Sequence, residues 1–300
     1  MTAAAGSPER SQTLRSTLGF IVRHPANRKR RLRAVLTFAA WQVWKRTTGR
    51  SITTRYWRGL KLRVHPDSRS AGLALYTGLP EYDDMLFTAR FLKPGDLMID
   101  VGANVGLYSL LAAAQVGEGR VIALEPHPLA ADRLRENVAL NGLRNVDVQA
   151  VAVGATPGFA RLTAHLDTTN YIVLEGSPRD SISVPVVALD SVVEAGQTVA
   201  LVKIDAEGFE SAVLAGASRL LHERSVIAWI VEVNGLGQRY GSEDQTVLDT
   251  FARAGYKGYR YRADSNSLDG GVLPEGEAEW NLIFARDEAE VRDRLRVGPT

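Results

Sequence analysis

The feature that most constrains this chain is an apolar run that ends in an acid and then turns through two glycines. Residues 97–106 read LMIDVGANVG, and a largely apolar segment follows at 107–114. This order predicts a strand, a tight loop and a helix N-terminus that together bind a cofactor. A second apolar run at 121–124 ends in Glu125, about where a ribose-binding acid lies in a nucleoside-binding βαβ unit. The sequence therefore predicts a site for an adenosine-bearing cofactor.

The spacing of the glycines favours one cofactor over another. A dinucleotide site needs G-x-G-x-x-G, because the pyrophosphate rests on the helix N-terminus, whereas Gly102 and Gly106 here stand four positions apart. Asp100 suits an amine-bearing cofactor better than a diphosphate, and S-adenosylmethionine has an ammonium group, a sulfonium and no phosphate. We therefore expect S-adenosylmethionine to bind at Asp100, Gly102, Gly106 and Glu125, with Asn104 lining the loop. The alternative is that Asp100 and Glu125 only cap the helices that follow them.

Strands and helices alternate through the following residues, which predicts a parallel sheet with helices on both faces. The last two predicted strands are separated by a Gly- and Asp-rich loop without a helix, so the final strand can enter the sheet antiparallel. The seven strands expected in this sheet are 97–101, 121–125, 146–153, 200–204, 226–233, 256–261 and 281–284. The irregular segment 154–198 is expected to cover the acceptor pocket, with His165 as a candidate base.

The chain contains no cysteine, and 45% of its residues are hydrophobic and 23% charged, as in ordinary globular proteins. Disulfides, thiolate zinc sites, iron–sulfur clusters and cysteine nucleophiles are therefore excluded. Radical chemistry with S-adenosylmethionine is excluded with them, because it needs an iron–sulfur cluster.

Charge is distributed unevenly along the chain. Residues 1–70 contain 16 Lys and Arg but only two acidic residues, Glu9 and Asp67, which gives a net charge of +14. The remaining residues contain 20 basic and 32 acidic side chains, a net charge of −12. A basic segment of this kind indicates contact with something anionic: phospholipid, nucleic acid or the acidic domain of the same chain.

The most basic part of this segment, residues 28–46, is predicted to form a helix. Its apolar stretch 34–44 has about 11 residues, whereas a bilayer span needs about 20, and it lies too late in the chain for a secretory signal peptide. We expect a cytoplasmic protein. The helix either packs on the catalytic domain or lies as an interfacial helix on an anionic membrane, with Trp41 and Trp44 at the lipid headgroups. Nucleic-acid binding is a third interpretation, but we do not expect a nucleic-acid partner.

Four segments together resemble the FkbM family of methyltransferases. They are 99–106 (IDVGANVG), 125–128 (EPHP), 189–190 (LD) and 203–210 (KIDAEGFE), in the order and spacing of the family. The resemblance implies a class I S-adenosylmethionine-dependent methyltransferase fold, and usually O-methylation of hydroxyls on sugars, polyketides or related metabolites. It adds Pro126 to the expected cofactor site. Asn234 stands where relatives often carry a histidine, so a base is not expected at that position.

Methyl transfer to an alcohol needs a positioned base or a bound cation, because a hydroxyl is a poor nucleophile at neutral pH. The candidate catalytic residues lie at or near the ends of the fourth and fifth core strands: Lys203, Asp205, Glu207 and Glu232. Three carboxylates in one pocket would raise at least one pKa by mutual repulsion or bind a divalent metal. Alternatively, Glu207 only complements the N-terminus of the next helix, and Lys203 pairs with Asp205 or Glu232 because a buried lysine needs a partner.

The expected organisation is a basic N-terminal tail and helix at 1–60, a methyltransferase domain at 61–290 and a C-terminal tail at 291–300. We expect an O-methyltransferase whose small-molecule or glycan acceptor is a sugar, a glycolipid or a polyketide-like metabolite. The alternatives are a nucleotide-dependent dehydrogenase, whose glycine pattern is missing, and a membrane-associated binding protein without catalysis. Methylation of nucleic-acid amino groups would favour an Asn/Asp-Pro-Pro-aromatic loop, where this chain has DAEG at 205–208.

Overall fold

The computed structural model describes residues 8–164, 170–173, 180–223, 225–270 and 280–296. The chain divides into two compact units, Met1–Tyr82 and Asp83–Thr300. The first unit contains helices α1 (Pro8–Arg23), α2 (Arg31–Thr48) and α3 (Arg69–Thr77), and strands β1 (Ile52–Arg55) and β2 (Lys61–Val64), which pair antiparallel. The domain boundary expected at 60/61 thus falls between the two strands of a hairpin, and the compact unit continues to Tyr82.

The first unit has a small core of its own. Trp41 of α2 is 3% exposed, and the Asn27 side-chain amide donates hydrogen bonds to the carbonyl oxygens of Ile21 and Tyr76 at 2.9 and 3.2 Å. The helix predicted within 28–46 is therefore present, and one of its faces is buried. Over the described residues, the structure contains no helix with the length and apolar character needed to cross a bilayer.

The remaining helices are α4 (Tyr82–Phe91), α5 (Leu107–Val116), α6 (Pro128–Leu140), α7 (Glu210–Ala215), α8 (Ser218–His222), α9 (Asp244–Arg253) and α10 (Glu288–Arg296). The remaining strands are β3 (Leu97–Val101), β4 (Arg120–Leu124), β5 (Val146–Gln149), β6 (Ala152–Val153), β7 (Gly158–Thr163), β8 (Ile172–Val173), β9 (Ser181–Val187), β10 (Val199–Ile204), β11 (Val226–Val233), β12 (Lys257–Arg262), β13 (Ser267–Gly270) and β14 (Trp280–Ala285).

The second unit is built around one large sheet with the order β13-β12-β14-β11-β10-β3-β4-β5. The five strands from β11 to β5 are parallel, and β14 enters antiparallel between β11 and β12. The predicted parallel core and antiparallel last strand are therefore present. The predicted count of seven strands is wrong by one, because the loop after β12 begins with β13, which pairs antiparallel with β12 at the edge.

One predicted strand differs from those observed, and two local features follow from tertiary contacts. The strand expected at 146–153 is divided, because β6 pairs with β9 in a separate four-stranded sheet of order β6-β9-β7-β8. The helical segment after β10 is divided into α7 and α8 around Gly216, where a side chain would overlap the carbonyl oxygen of Gly154. Asp190 accepts hydrogen bonds from the Arg219 and Leu220 amides at 2.7 and 3.0 Å, so it caps α8.

The expected C-terminal tail is also partly helical. Residues 291–296 belong to α10, and Val291 and Leu295 are buried because the apolar face of this helix packs on the protein. The central strands β3 and β10 are buried along their whole length, as expected for a sheet covered on both faces. The irregular segment 154–198 contains the four-stranded sheet, and the candidate base His165 lies outside the described residues.

Candidate functional site

The candidate site lies at the topological switch point of the large sheet. From β3 the chain continues outward to β4 and β5, and it later returns to the other side of β3 as β10. Loops that leave two such neighbouring strands diverge, and open α/β sheets bind ligands in the crevice between them. The loop after β3 and the loop after β10 carry most of the residues predicted from sequence.

The loop after β3 has the conformation that its glycines permit. Gly102 and Gly106 have φ angles of +76° and +90°, and Asn104 is left-handed at +49°. Asn104 is stabilised there because its Oδ1 atom accepts a hydrogen bond from the Val105 amide at 2.8 Å. The loop therefore presents backbone and small side chains at the start of α5, which is what close approach of a cofactor requires.

Gly102 also brings the two strand ends together. The Asp205 amide donates a hydrogen bond to the carbonyl oxygen of Val101 at 3.1 Å. A Cβ atom at residue 102 would overlap the Asp205 carbonyl oxygen, so any larger residue would force the strand ends apart. The cofactor loop and the acidic loop after β10 are thus joined at this glycine.

Asp100 and Glu125 are both buried beneath or beside this loop. Asp100 is 1% exposed, and the Ser109 hydroxyl donates to its Oδ2 atom at 2.6 Å. Glu125 accepts hydrogen bonds from the Asn104 amide through one oxygen and from the His127 amide through the other, each at 2.8 Å. Burial raises the pKa of Glu125 to about 7, against the opposing effect of these two hydrogen bonds.

Glu125 therefore has a structural task in addition to its predicted ribose contact. It fixes the cofactor loop against the turn that leads into α6, in which Pro126 is partly exposed. Each carboxylate oxygen has a second lone pair, so these hydrogen bonds leave acceptor capacity for ribose hydroxyls. The alternative that Glu125 only caps the following helix is partly supported, because its carboxylate accepts hydrogen bonds from the backbone amides of Asn104 and His127. The contact between Glu125 and the cofactor stays a prediction.

A buried lysine and an acid form the centre of the second loop. Lys203 is 2% exposed, and its Nζ atom lies 2.9 Å from Asp205 Oδ2 and 4.6 Å from the centre of the Tyr108 ring. The salt bridge and the ring together compensate the cost of burying the ammonium group. The side chain of Asp205 is 29% exposed, so the acid of this pair is the member that reaches solvent.

Glu232 at the end of β11 is hydrogen-bonded to Asp205. Burial, and then the charge of Asp205 and the hydrogen bond to it, raise the pKa of Glu232 far above its ordinary value. Asn234 donates a hydrogen bond to Glu232 Oε2 at 3.0 Å, so residue 234 orients the acid instead of serving as a base. Asp205 lies between this acid and the Lys203 ammonium, which it contacts at 2.9 Å.

Glu207 and Glu210 differ in their surroundings. Glu210 is buried, and its Oε1 atom accepts hydrogen bonds from the Ala206 and Gly208 amides at 2.9 and 3.1 Å, which holds the loop. Glu207 has a left-handed backbone with φ +52°. Burial first, and then the charges of Asp205 and Glu210, raise the pKa of Glu207 to about 8, against the effect of Arg239 and Lys203.

Residues not predicted from the sequence form a wall beside this cluster. The Arg239 guanidinium carbon lies 3.7 Å from the centre of the Tyr171 ring, and the Tyr240 hydroxyl donates to the carbonyl oxygen of Ile172 at 2.8 Å. The Phe209 ring packs edge-on against Tyr240 with centres 5.1 Å apart. The short helix Leu236–Tyr240 after β11 is thereby joined to β8. The sequence signal that could have indicated this short helix is its position directly after a core strand.

The structure brings Lys203, Asp205, Glu207 and Glu232 together as predicted, but no role in catalysis follows from proximity alone. Among the described residues, no group of three or more His, Asp or Glu side chains is arranged to hold a metal ion. The arrangement places two partly exposed acids, Asp205 and Glu232, beside a glycine-rich loop. Such a site can accept a proton and can bind a cofactor without phosphate groups.

Known proteins resemble this chain over the same region. A ribosomal protein L11 methyltransferase of Caldanaerobacter subterraneus is 38% identical over 79 residues, 26% of this chain and 25% of that protein. The 31-O-demethyl-FK506 methyltransferase FkbM of Streptomyces tacrolimicus is 36% identical over 78 residues, 26% of this chain and 30% of that protein. The chain thus matches only about a quarter of the length of these curated relatives.

Among solved structures, an S-adenosylmethionine-dependent O-methyltransferase from Thermotoga maritima has a TM-score of 0.41 and 14% sequence identity, and the alignment covers 82% of this chain and 80% of that one. The model of the methyltransferase FkbM domain family matches residues 100–258, which is more than half of the chain. That match includes Asp100, Glu125, Asp205 and Glu232 and ends in β12. The chain therefore belongs to the FkbM family of methyltransferases.

Proposed function

We propose that this chain is an S-adenosylmethionine-dependent O-methyltransferase that acts on a hydroxyl of a sugar, a glycolipid or a polyketide-like metabolite. The observation that carries the proposal is the position of Asp205, which lies directly beside Gly102 of the cofactor loop, is paired with Lys203 at 2.9 Å and is close to Glu232. Membership of a methyltransferase family favours this function over the dehydrogenase and the non-catalytic binding protein that the sequence left open.

The residues around the loop fit the proposed cofactor. S-adenosylmethionine, when bound, supplies a methyl group made reactive by the positive sulfonium. Gly102, Asn104 and Gly106 give the loop its left-handed turns, Glu125 retains acceptor capacity for ribose hydroxyls, and Pro126 lies in the adjoining turn. Asp100 is held by Ser109 under the same loop. Acids rather than phosphate-binding glycines surround the site, which suits a cofactor that carries positive charge.

The acid pair supplies the proton acceptor that an alcohol needs. The side chain of Asp205 is 29% exposed, and it would accept the proton that the acceptor hydroxyl loses when the methyl group passes from sulfur to the hydroxyl oxygen. Glu232 keeps its proton and donates a hydrogen bond to Asp205, and Lys203 fixes the orientation of the Asp205 carboxylate. Glu207 and the wall formed by Tyr171, Arg239 and Tyr240 are proposed to face the acceptor and keep water out.

The proposal can be tested without knowing the acceptor. We would incubate extracts of cells lacking the gene with the purified protein and S-adenosylmethionine carrying an isotopically labelled methyl group. Mass spectrometry should find a product heavier by one CH₂ group, with the label on oxygen. A folded protein that labels nothing, or that labels only nitrogen, would contradict the proposal.

Two variants test the role of the acid pair in the same assay. Asp205→Asn should lower the rate by about 10²–10⁴-fold, because it removes the proton acceptor. Glu232→Gln should stay within about tenfold of wild type at neutral pH, because a glutamine amide can still donate a hydrogen bond to Asp205. Equal losses in both variants, or none in either, would show that Asp205 is not the base.

A further inference from the structure

Helix α2 has two different apolar faces. One face is buried in the core of the first unit and includes Ala34 and Trp41. Leu32, Leu36 and Val43 stand four and then seven residues apart, which places them on one side of the helix. That second side is exposed to solvent along nearly the whole length of the helix.

The exposed fractions on this second face are large. Leu32, Leu36 and Val43 are 74%, 59% and 62% exposed. Trp44 beside them is 43% exposed, and its indole nitrogen donates a hydrogen bond to the Arg50 carbonyl oxygen at 3.1 Å, which holds the ring in place. A contiguous row of large apolar side chains in water marks a surface that another molecule covers. We call the row formed by Leu32, Leu36, Val43 and Trp44 the exposed α2 face.

The segment that carries the exposed α2 face has charge of one sign. Residues 10–66 contain 15 Lys and Arg and not a single Asp or Glu. Four of these cations belong to α2 itself: Arg31 and Arg33 in its first turn, Lys45 and Arg46 in its last. The apolar row is therefore bordered at both ends by positive charge, and no carboxylate in this segment neutralises it.

We propose that the exposed α2 face lies on an anionic lipid bilayer, with the helix in the plane of the interface. Aliphatic side chains enter the acyl boundary while the cations contact lipid phosphates, which is the arrangement of interfacial amphipathic helices. RNA would account for the cations, which can contact its phosphates, but not for the row of aliphatic side chains. Proteins bind nucleic acid through phosphate contacts and aromatic stacking, and aliphatic side chains supply neither. A second copy fits poorly as well, because it would bring two segments of like charge together.

The experiment is co-sedimentation of the full chain with vesicles of phosphatidylglycerol and phosphatidylcholine, compared with vesicles of phosphatidylcholine alone. The test variant carries Leu32→Ser, Leu36→Ser and Val43→Ser, and the matched controls are Leu129→Ser and Phe159→Ser. Leu129 and Phe159 are apolar and 49% and 80% exposed in the second unit. We expect binding to the anionic vesicles only, a loss of at least about tenfold in the triple variant, and unchanged binding in both controls.

Several results would overturn the proposal. They are absence of binding to anionic vesicles, equal losses in the controls, and binding that the triple variant leaves intact. So would a wild-type dimer in analytical ultracentrifugation that the triple variant makes monomeric, or binding to transfer RNA that exceeds vesicle binding. Circular dichroism checks folding, and the single variant Leu36→Gln, expected to weaken vesicle binding at least threefold, replaces the triple variant if that variant does not fold.

Discussion

At the scale of single residues, the candidate site is governed by which carboxyl groups hold a proton. Glu232 and Glu207 both have raised pKa values because they are buried near Asp205, and Asp205 is paired with Lys203. Packing several acids into one crevice costs stability, since each ionised acid opposes the next. Enzymes accept that cost where a group must exchange protons near neutral pH.

The stability that one such acid costs the folded chain can be measured at Glu207. Its pKa is about 8 in the folded chain and near its ordinary value of 4.5 when unfolded. Because the folded pKa is the higher one, the contribution of Glu207 to stability is fully present below about pH 4.5 and is lost as the pH rises towards 8. The free energy of unfolding of the wild type should therefore fall as the pH rises over this range. The fall should be less steep in Glu207→Gln, and the two slopes should differ by up to about 1.4 kcal/mol per pH unit.

Denaturant unfolding at a series of pH values measures this slope. Glu118→Gln is the control, because Glu118 is an exposed carboxyl on a turn of the same unit and should leave the wild-type slope unchanged. If Glu207→Gln and wild type have parallel pH dependence, Glu207 does not hold its proton in the folded chain.

At the scale of elements, the site depends on how closely β3 and β10 end beside each other. Buried parallel strands are the elements that sequence predicts best, because their apolar runs are long and end in Gly or acidic residues. The edge strand β13 was missed, since its sequence SLDG has neither an apolar run nor alternation. The pairing of β6 with β9 was missed because it depends on a contact between distant residues, Ala152 and Val186, that no local pattern reports.

Gly102 tests the element-level claim. Gly102→Ala adds a side chain that overlaps the Asp205 carbonyl oxygen at a positive φ angle, and we expect it to lower the free energy of unfolding by at least about 3 kcal/mol. Gly196→Ala is a matched control, because Gly196 has nearly the same φ angle, +79°, and open space around it. It should lose about 1 kcal/mol, the conformational cost alone.

Chemical denaturation of the two variants separates the steric effect from the conformational one. Similar losses in both would mean that β3 and β10 can move apart without cost, and that the cofactor loop is not fixed against the acid cluster.

At the scale of the whole molecule, the chain combines a basic N-terminal unit with an acidic unit that carries the site. The sequence predicts this difference in charge and the cofactor loop, because charge and glycine spacing are local properties; it places the boundary at residue 60/61, whereas the compact unit continues to Tyr82. Tertiary packing determines which side chains contact each other, as Ser109 contacts Asp100 and Arg239 contacts Tyr171. The spacing of these residues along the chain could not predict such contacts.

The most direct test of the proposed function is calorimetric titration of S-adenosylmethionine into the wild-type chain and into Glu125→Ala, with Glu118→Ala as an exposed control. We predict that the wild type binds and that Glu125→Ala binds about ten to a hundred times more weakly, the loss expected for one or two hydrogen bonds to a charged group. Glu118→Ala should match wild type, and NAD should not bind. Equal affinity in wild type and a folded Glu125→Ala variant, or no binding by the wild type, would contradict the assignment of the loop after β3 as the cofactor site.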